Sequence, residues 1–66
     1  MEMIHVLFAP DGNVSLIGEC PEGMEPETWF RFLSRNTTDA YESFAGGRGV
    51  FRLEKEVVEK LKLQAA

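Results

Sequence analysis

The sequence predicts a small α+β protein, with residues 1–66 forming a single domain in which an antiparallel-dominated sheet carries two helices on one face. Three observations lead to this prediction. The first 20 residues alternate apolar and polar side chains around a turn-forming Pro-Asp-Gly, which is typical of a hairpin. Residues 54–65 repeat apolar side chains at helical spacing. Glycine, proline and polar clusters divide the middle of the chain into short segments. The predicted order is β-β-β-α-β-α.

The first two strands are predicted over 1–8 and 13–19. Pro10 presets the first corner of a type I turn, Asp11 suits the next position, and Gly12 supplies the left-handed residue of a three-residue hairpin loop.

This loop also predicts the register of the hairpin. It pairs Phe8 with Val14 and Val6 with Leu16, which places these four apolar side chains on one face of the sheet. Ile17 then lies on the opposite face.

The segment 28–35 (TWFRFLSR) is compatible with two structures. As a helix, it would be opened by Pro26, with Glu27 and Arg35 matching the helix dipole. As a strand, it is rich in Thr, Trp and Phe, which fit a pleated surface. Its strand alternation would place Trp29, Arg31, Leu33 and Arg35 on one face. We predict a strand.

The remaining elements follow from caps and spacing. Asn36–Ala45 is predicted to be a short helix, because cap-type residues open it and Gly46 can close it in a left-handed conformation; a strand is the alternative. A glycine-rich bend at 46–49 lacks the lysine of a phosphate loop. Val50–Leu53 is predicted to be a strand, and Glu54–Ala65 is the clearest helix, with an apolar stripe.

These assignments divide the side chains between two faces of the sheet. The covered face and the helices that meet it hold Ile4, Val6, Phe8, Val14, Leu16, Phe30, Phe32, Phe51 and Leu53, with Tyr41, Phe44, Val58 and Leu61. The face away from the helices, called the open face, is predicted to hold Met3, His5, Leu7, Ile17, Trp29, Arg31, Leu33, Val50 and Arg52. An exposed apolar face with arginines is typical of an interaction surface. Alternatively, the last helix or a long loop covers it.

Charge is unevenly distributed along the chain. Residues 1–30 carry six acidic and no basic side chains, whereas residues 31–66 carry seven basic and five acidic ones, and the net charge is −4. A net negative chain does not bind nucleic acid by bulk electrostatics. The loop 20–27, with Glu22 and Glu25, is either a solvated connection or an acidic surface for a basic partner.

No chemistry is predicted from the candidate reactive residues. His5 lacks a nucleophile and an orienting carboxylate at a suitable spacing. Negative charge around Cys20 disfavours its thiolate. We therefore expect no enzymatic activity, no metal and no cofactor. A single Cys, no leader peptide and no long apolar run indicate a cytoplasmic protein without a membrane span.

The sequence thus favours a protein–protein interaction module, an adaptor or inhibitor such as phages encode, which binds another protein or itself as a homo-oligomer. The predicted partner-binding residues are Trp29, Arg31, Leu33, Arg35, His5, Arg52, Glu22 and Glu25. The alternative is a single-stranded nucleic-acid-binding sheet, with bases stacked on Trp29 and His5 and phosphates on the arginines. A regulatory domain of a larger assembly is a third possibility.

Overall fold

A computed structural model describes residues 1–65 and confirms the predicted class, a four-stranded antiparallel sheet with two helices on one face. The strand order across the sheet is β2-β1-β4-β3, so that the longest strands lie in the middle. The elements along the chain are β1 (Glu2–Phe8), β2 (Val14–Ile17), α1 (Pro26–Asn36), β3 (Tyr41–Phe44), β4 (Arg48–Leu53) and α2 (Lys55–Ala65).

The predicted strand at 28–35 is wrong, because this segment lies within α1. Pro26 is accommodated in the first turn, where no partner for its missing N–H is needed. The carbonyl of Glu25 accepts the N–H of Trp29 at 3.1 Å. Trp29 and Leu33 are four residues apart, so they share one helix face, and both are completely buried. Burial of that face in the core therefore favours the helix over the strand for this segment.

The predicted helix at 36–45 is also wrong. Its polar residues close the helix before it, since the Asn36 amide donates to the Phe32 carbonyl at 2.8 Å and the Thr37 hydroxyl donates to the Leu33 carbonyl at 2.7 Å. Both side chains thereby add hydrogen bonds at the C-terminal end of α1, where no further helical turn follows. The chain then enters β3 at Tyr41, which was the alternative for this segment.

The predicted turn of the first hairpin is confirmed. The N–H of Ala9 donates to the Asn13 carbonyl at 2.7 Å, and the N–H of Gly12 donates to the Ala9 carbonyl at 2.9 Å. Gly12 has a φ of +93°, which glycine adopts without steric cost. The pairing of Phe8 with Val14 follows, as predicted.

The register changes one residue further on. Leu7 pairs with Leu16 and Val6 with Ile17, so Ser15 is an extra residue in β2 and forms a bulge. The predicted pairing of Val6 with Leu16 is therefore wrong. The bulge turns Leu16 to the open face and Ile17 into the core.

The core lies between the helix face of the sheet and both helices. Its buried members are Ile4, Val6, Val14, Ile17, Trp29, Leu33, Phe51, Leu53, Val58 and Leu61. Phe30 extends the core toward the second hairpin, with its ring edge-on to Phe8 at 5.5 Å and to Tyr41 at 5.6 Å. Of the residues predicted on the covered face, Leu16 and Phe44 lie outside the core and are exposed.

Candidate functional site

The open face of the sheet is built from rows of side chains that run across neighbouring strands. The row nearest the two hairpin turns is complete. Leu16 of β2 pairs with Leu7 of β1, Leu7 pairs with Arg48 of β4, and Arg48 pairs with Phe44 of β3. Directly paired residues point to the same side of a sheet, so these four side chains lie next to one another.

Two further rows complete the open face. In the second row, Gly18 donates its N–H to the carbonyl of His5 at 3.0 Å, and His5 is paired with Val50, which is paired with Glu42. The third row contains Met3 and Arg52. Val50 is completely buried although it faces away from the helices, and it lies on an inner strand between His5 and Glu42.

Half of the large hydrophobic side chains that are exposed among residues 1–65 lie on this face. The eight exposed ones are Met1, Met3, Leu7, Leu16, Tyr41, Phe44, Val57 and Leu63. Met3, Leu7, Leu16 and Phe44 belong to the open face, and Leu16 is the most exposed of these four, at 64%. This concentration makes the open face the main apolar surface of the described part of the chain.

A groove of about 570 Å³ lies over the first row and part of the second. It is lined by His5, Val6, Leu7, Leu16, Ile17, Gly18, Phe44, Arg48 and Gly49. Leu16 and Phe44 lie on the two outer strands, β2 and β3.

The charges on the open face are not equivalent. Arg52 forms an ion pair with Glu42. Arg48 has neither an ion pair nor a side-chain hydrogen bond among residues 1–65, although it lines the groove. The groove is therefore apolar with one arginine that lacks a partner in this part of the chain.

The structure places only some of the residues predicted for binding on the open face. His5 and Arg52 lie on the open face, as expected. The placement of Trp29 and Leu33 on that face is wrong, since both are buried in the core. Arg31 and Arg35 are exposed on α1, which packs on the opposite face, and their role in binding stays a prediction.

Trp29 has a structural role in this fold. Its Nε1–H donates to the Gly18 carbonyl at 3.1 Å, and its ring stacks on Phe32 with a centroid distance of 6.0 Å. The indole thus joins α1 to the end of β2. A side chain in this position cannot stack on a nucleotide base.

In and next to the predicted acidic loop, two glutamates make polar contacts within the fold and two others are exposed to solvent. Glu27 accepts the N–H of Val14 at 3.2 Å, and Glu19 forms an ion pair with Lys62 of α2. Glu22 and Glu25 are exposed to solvent. The predicted acidic surface for a basic partner is thus reduced to these two residues and stays a prediction.

Cys20 is half-buried in the same loop, and its Sγ–H donates to the Met24 carbonyl at 3.3 Å. Burial raises the pKa of the thiol, and the nearby charge of Glu25 raises this pKa further. The neutral thiol is the poorer nucleophile, which agrees with the expectation from sequence. Within residues 1–65, no group of three or more His, Cys, Asp or Glu side chains is placed to hold a metal ion.

Leu16, Phe44 and Arg48 were not predicted as site residues. The signal for Leu16 is absent, because the bulge at Ser15 has no marker in the sequence. Phe44 and Arg48 had a signal in the two glycines between them. Gly46 and Gly47 have φ of +82° and +71° in a tight turn between β3 and β4, and such glycine pairs between apolar segments indicate a hairpin.

Comparison with protein-family models, curated proteins and solved structures finds no match for this chain. None of the helices in residues 1–65 has the length and apolar character needed to cross a membrane.

Proposed function

We propose that this chain is a small non-enzymatic protein–protein interaction module, of the adaptor or inhibitor type, that binds its partner through the open face. One observation carries the proposal. Three members of the row nearest the turns are large, apolar and exposed, with Leu7 at 40%, Leu16 at 64% and Phe44 at 42%. Leu16 and Leu7 are direct neighbours across the sheet, and Arg48 alone separates Leu7 from Phe44 in this row. Exposed apolar side chains grouped in this way mark an interaction site in a globular protein.

The composition of the open face supports a protein partner. Arginine and aromatic residues are enriched at protein interfaces, and Arg48 lies between Leu7 and Phe44 in the row. The nucleic-acid hypothesis has less support, because it depended on Trp29, which is buried, and because the chain carries a net charge of −4. The single half-buried thiol of Cys20 is consistent with a reducing, cytoplasmic setting.

The test replaces one exposed leucine of the open face. Leu16→Lys places a charge in the groove, whereas the matched control Leu63→Lys places the same charge on α2, where Leu63 is 81% exposed. Each protein is immobilised, and the proteins that it retains from a nuclease-treated extract of the native host are quantified by mass spectrometry. Thermal unfolding of each variant confirms that the fold is retained.

We expect the wild type and Leu63→Lys to retain the same proteins, and Leu16→Lys to lose them by about tenfold or more, since a lysine buried against apolar groups is strongly disfavoured. Retention that is equal for both variants would contradict the proposal. Sedimentation velocity of the three proteins reports self-association. A wild-type dimer that Leu16→Lys dissociates would identify the partner as a second copy.

A further inference from the structure

We propose that the partner segment that occupies the groove is apolar and carries a carboxylate that pairs with Arg48. This inference rests on the proposed function, because it assigns a chemistry to the partner of the same face. The groove joins apolar surface from Leu7, Leu16 and Phe44 to the guanidinium of Arg48. A segment that contacts the whole groove must therefore satisfy both kinds of group.

The need for a carboxylate follows from the state of Arg48. Among residues 1–65 its guanidinium has no ion pair, whereas Arg52 on the same face is paired with Glu42. Contact with an apolar partner removes water from Arg48, and an arginine that loses water without gaining an anion is strongly disfavoured. A carboxylate restores the hydrogen bonds, and its planar geometry matches the guanidinium.

A second copy of this chain fits the face less well. Two open faces in contact would bring a second Arg48 to the groove, and the acidic residue of the face, Glu42, is already paired. Each copy also carries a net charge of −4.

The shape of the groove favours a protein segment over a small carboxylic acid. Pockets for small molecules enclose most of the ligand surface. Here the floor is one face of a sheet, and the exposed side chain of Met3 lies beyond His5 on the same strand, in the third row. A segment of several residues can cover this length, with its acidic side chain at Arg48.

The experiment begins with a displayed library of random 12-residue peptides, selected on the immobilised wild-type chain. The enriched peptide is synthesised in two forms, one with its Asp or Glu and one with the corresponding amide. Both forms are titrated by calorimetry against the wild type, Arg48→Gln and Leu16→Lys. The matched control is Arg35→Gln, because Arg35 is an exposed arginine on α1, away from the groove.

We expect acidic peptides with two or more apolar residues to be enriched. Arg48→Gln should weaken the acidic form about tenfold or more, as for a desolvated charge pair, and Arg35→Gln should leave it unchanged. The amide form should bind the wild type as weakly as the acidic form binds Arg48→Gln, and the two changes together should add little further loss.

Two results would overturn the inference and separate it from the proposed function. Peptides that lose binding with Leu16→Lys but not with Arg48→Gln would refute the carboxylate and leave the interaction face in place. A selection that enriches no peptide would refute this inference. Peptides whose binding is insensitive to both variants would refute this inference and the proposed face as well.

Discussion

At the scale of single residues, Trp29 shows that residue type alone does not identify a binding site. Tryptophan is frequent at binding hot spots, but it also buries more apolar area than any other side chain when it lies in a core. Here it is completely buried, and its one polar atom is satisfied by the Gly18 carbonyl. The residues that remain for binding are those that the strand register turns outward, such as Leu16.

Gly49 illustrates a residue that matters because it has no side chain. A Cβ at this position would lie 2.7 Å from the Cε1 and Cζ atoms of the Tyr41 ring. We expect Gly49→Ala to lower the free energy of unfolding by about 1–3 kcal/mol, because the ring must leave its position over β4. Urea unfolding followed by circular dichroism measures this change.

Gly18→Ala is the matched control for Gly49→Ala, since its Cβ would meet no atom closer than 3.7 Å. We expect it to change the free energy of unfolding by less than about 0.5 kcal/mol. The tyrosine can be tested directly in a Tyr41→Ala background, where Gly49→Ala should lose most of its effect. An undiminished effect there would show that the ring is not the cause.

At the scale of elements, the bulge in β2 decides which side chains form the core and which form the candidate site. Leu16 and Ile17 are neighbours of nearly equal size and polarity, but the bulge exposes the first and buries the second. Without the bulge their positions would be exchanged.

We therefore expect opposite effects from one substitution at these adjacent positions. Leu16→Lys should change the free energy of unfolding by less than about 0.5 kcal/mol, because its side chain already lies in water. Ile17→Lys should destabilise the protein by about 3 kcal/mol or more, or prevent folding, because it buries a charge without a partner. Thermal and urea unfolding compare the two variants. A larger loss for Leu16→Lys would contradict the observed register.

The turn of the first hairpin and the last helix could be predicted from sequence because local signals decide them. The Pro10–Gly12 turn and the apolar spacing of α2 require no knowledge of the remaining chain. The segment 28–35 could not be decided in this way, because its spacing fits both a helix and a strand. The outcome depends on tertiary burial of Trp29 and Leu33. Cap residues at 36–39 were likewise ambiguous, since the same residue types close one helix or open the next.

The candidate site could be predicted only in part for the same reason. His5, Arg52 and the other residues of β1 and β4 were placed correctly, because alternation along a regular strand determines the face. Leu16 was assigned to the wrong face because a bulge reverses that alternation beyond it. Arg48 and Phe44 were missed because their strand pairing depends on a second hairpin at 41–53.

At the scale of the whole molecule, polar contacts of the loop after β2 and of the second hairpin link stability to pH. Burial raises the pKa of Cys20, and the charge of Glu25 raises it further. Burial also raises the pKa of Tyr41. The hydrogen bond that Lys62 donates to Glu19 raises the pKa of this lysine. Each of these groups therefore holds its proton more tightly in the folded chain than in the unfolded chain.

These three shifts predict a loss of stability at alkaline pH. At a pH below the unfolded values, about 8.5 for Cys, 10 for Tyr and 10.4 for Lys, each group is protonated in both states and its contribution is complete. As the pH rises past these values, the unfolded chain releases its protons first, so the free energy of unfolding falls until the folded groups also titrate. We expect this decline to begin near pH 8.5. Urea unfolding between pH 7 and pH 11, at constant ionic strength and with a reducing agent, measures it.

Two variants assign the decline to its sources. Cys20→Ser keeps a donor for the Met24 carbonyl but does not titrate in this range, so it should remove the part of the decline that begins near pH 8.5. Lys62→Met should reduce the part above about pH 10 only slightly, because the pair with Glu19 is partly exposed and such pairs contribute well under about 1 kcal/mol. A wild-type profile that stays level from pH 8 to pH 11 would show that these groups are not linked to folding. A Cys20→Ser profile that matches the wild type would remove the thiol from the explanation and leave the tyrosine and the lysine.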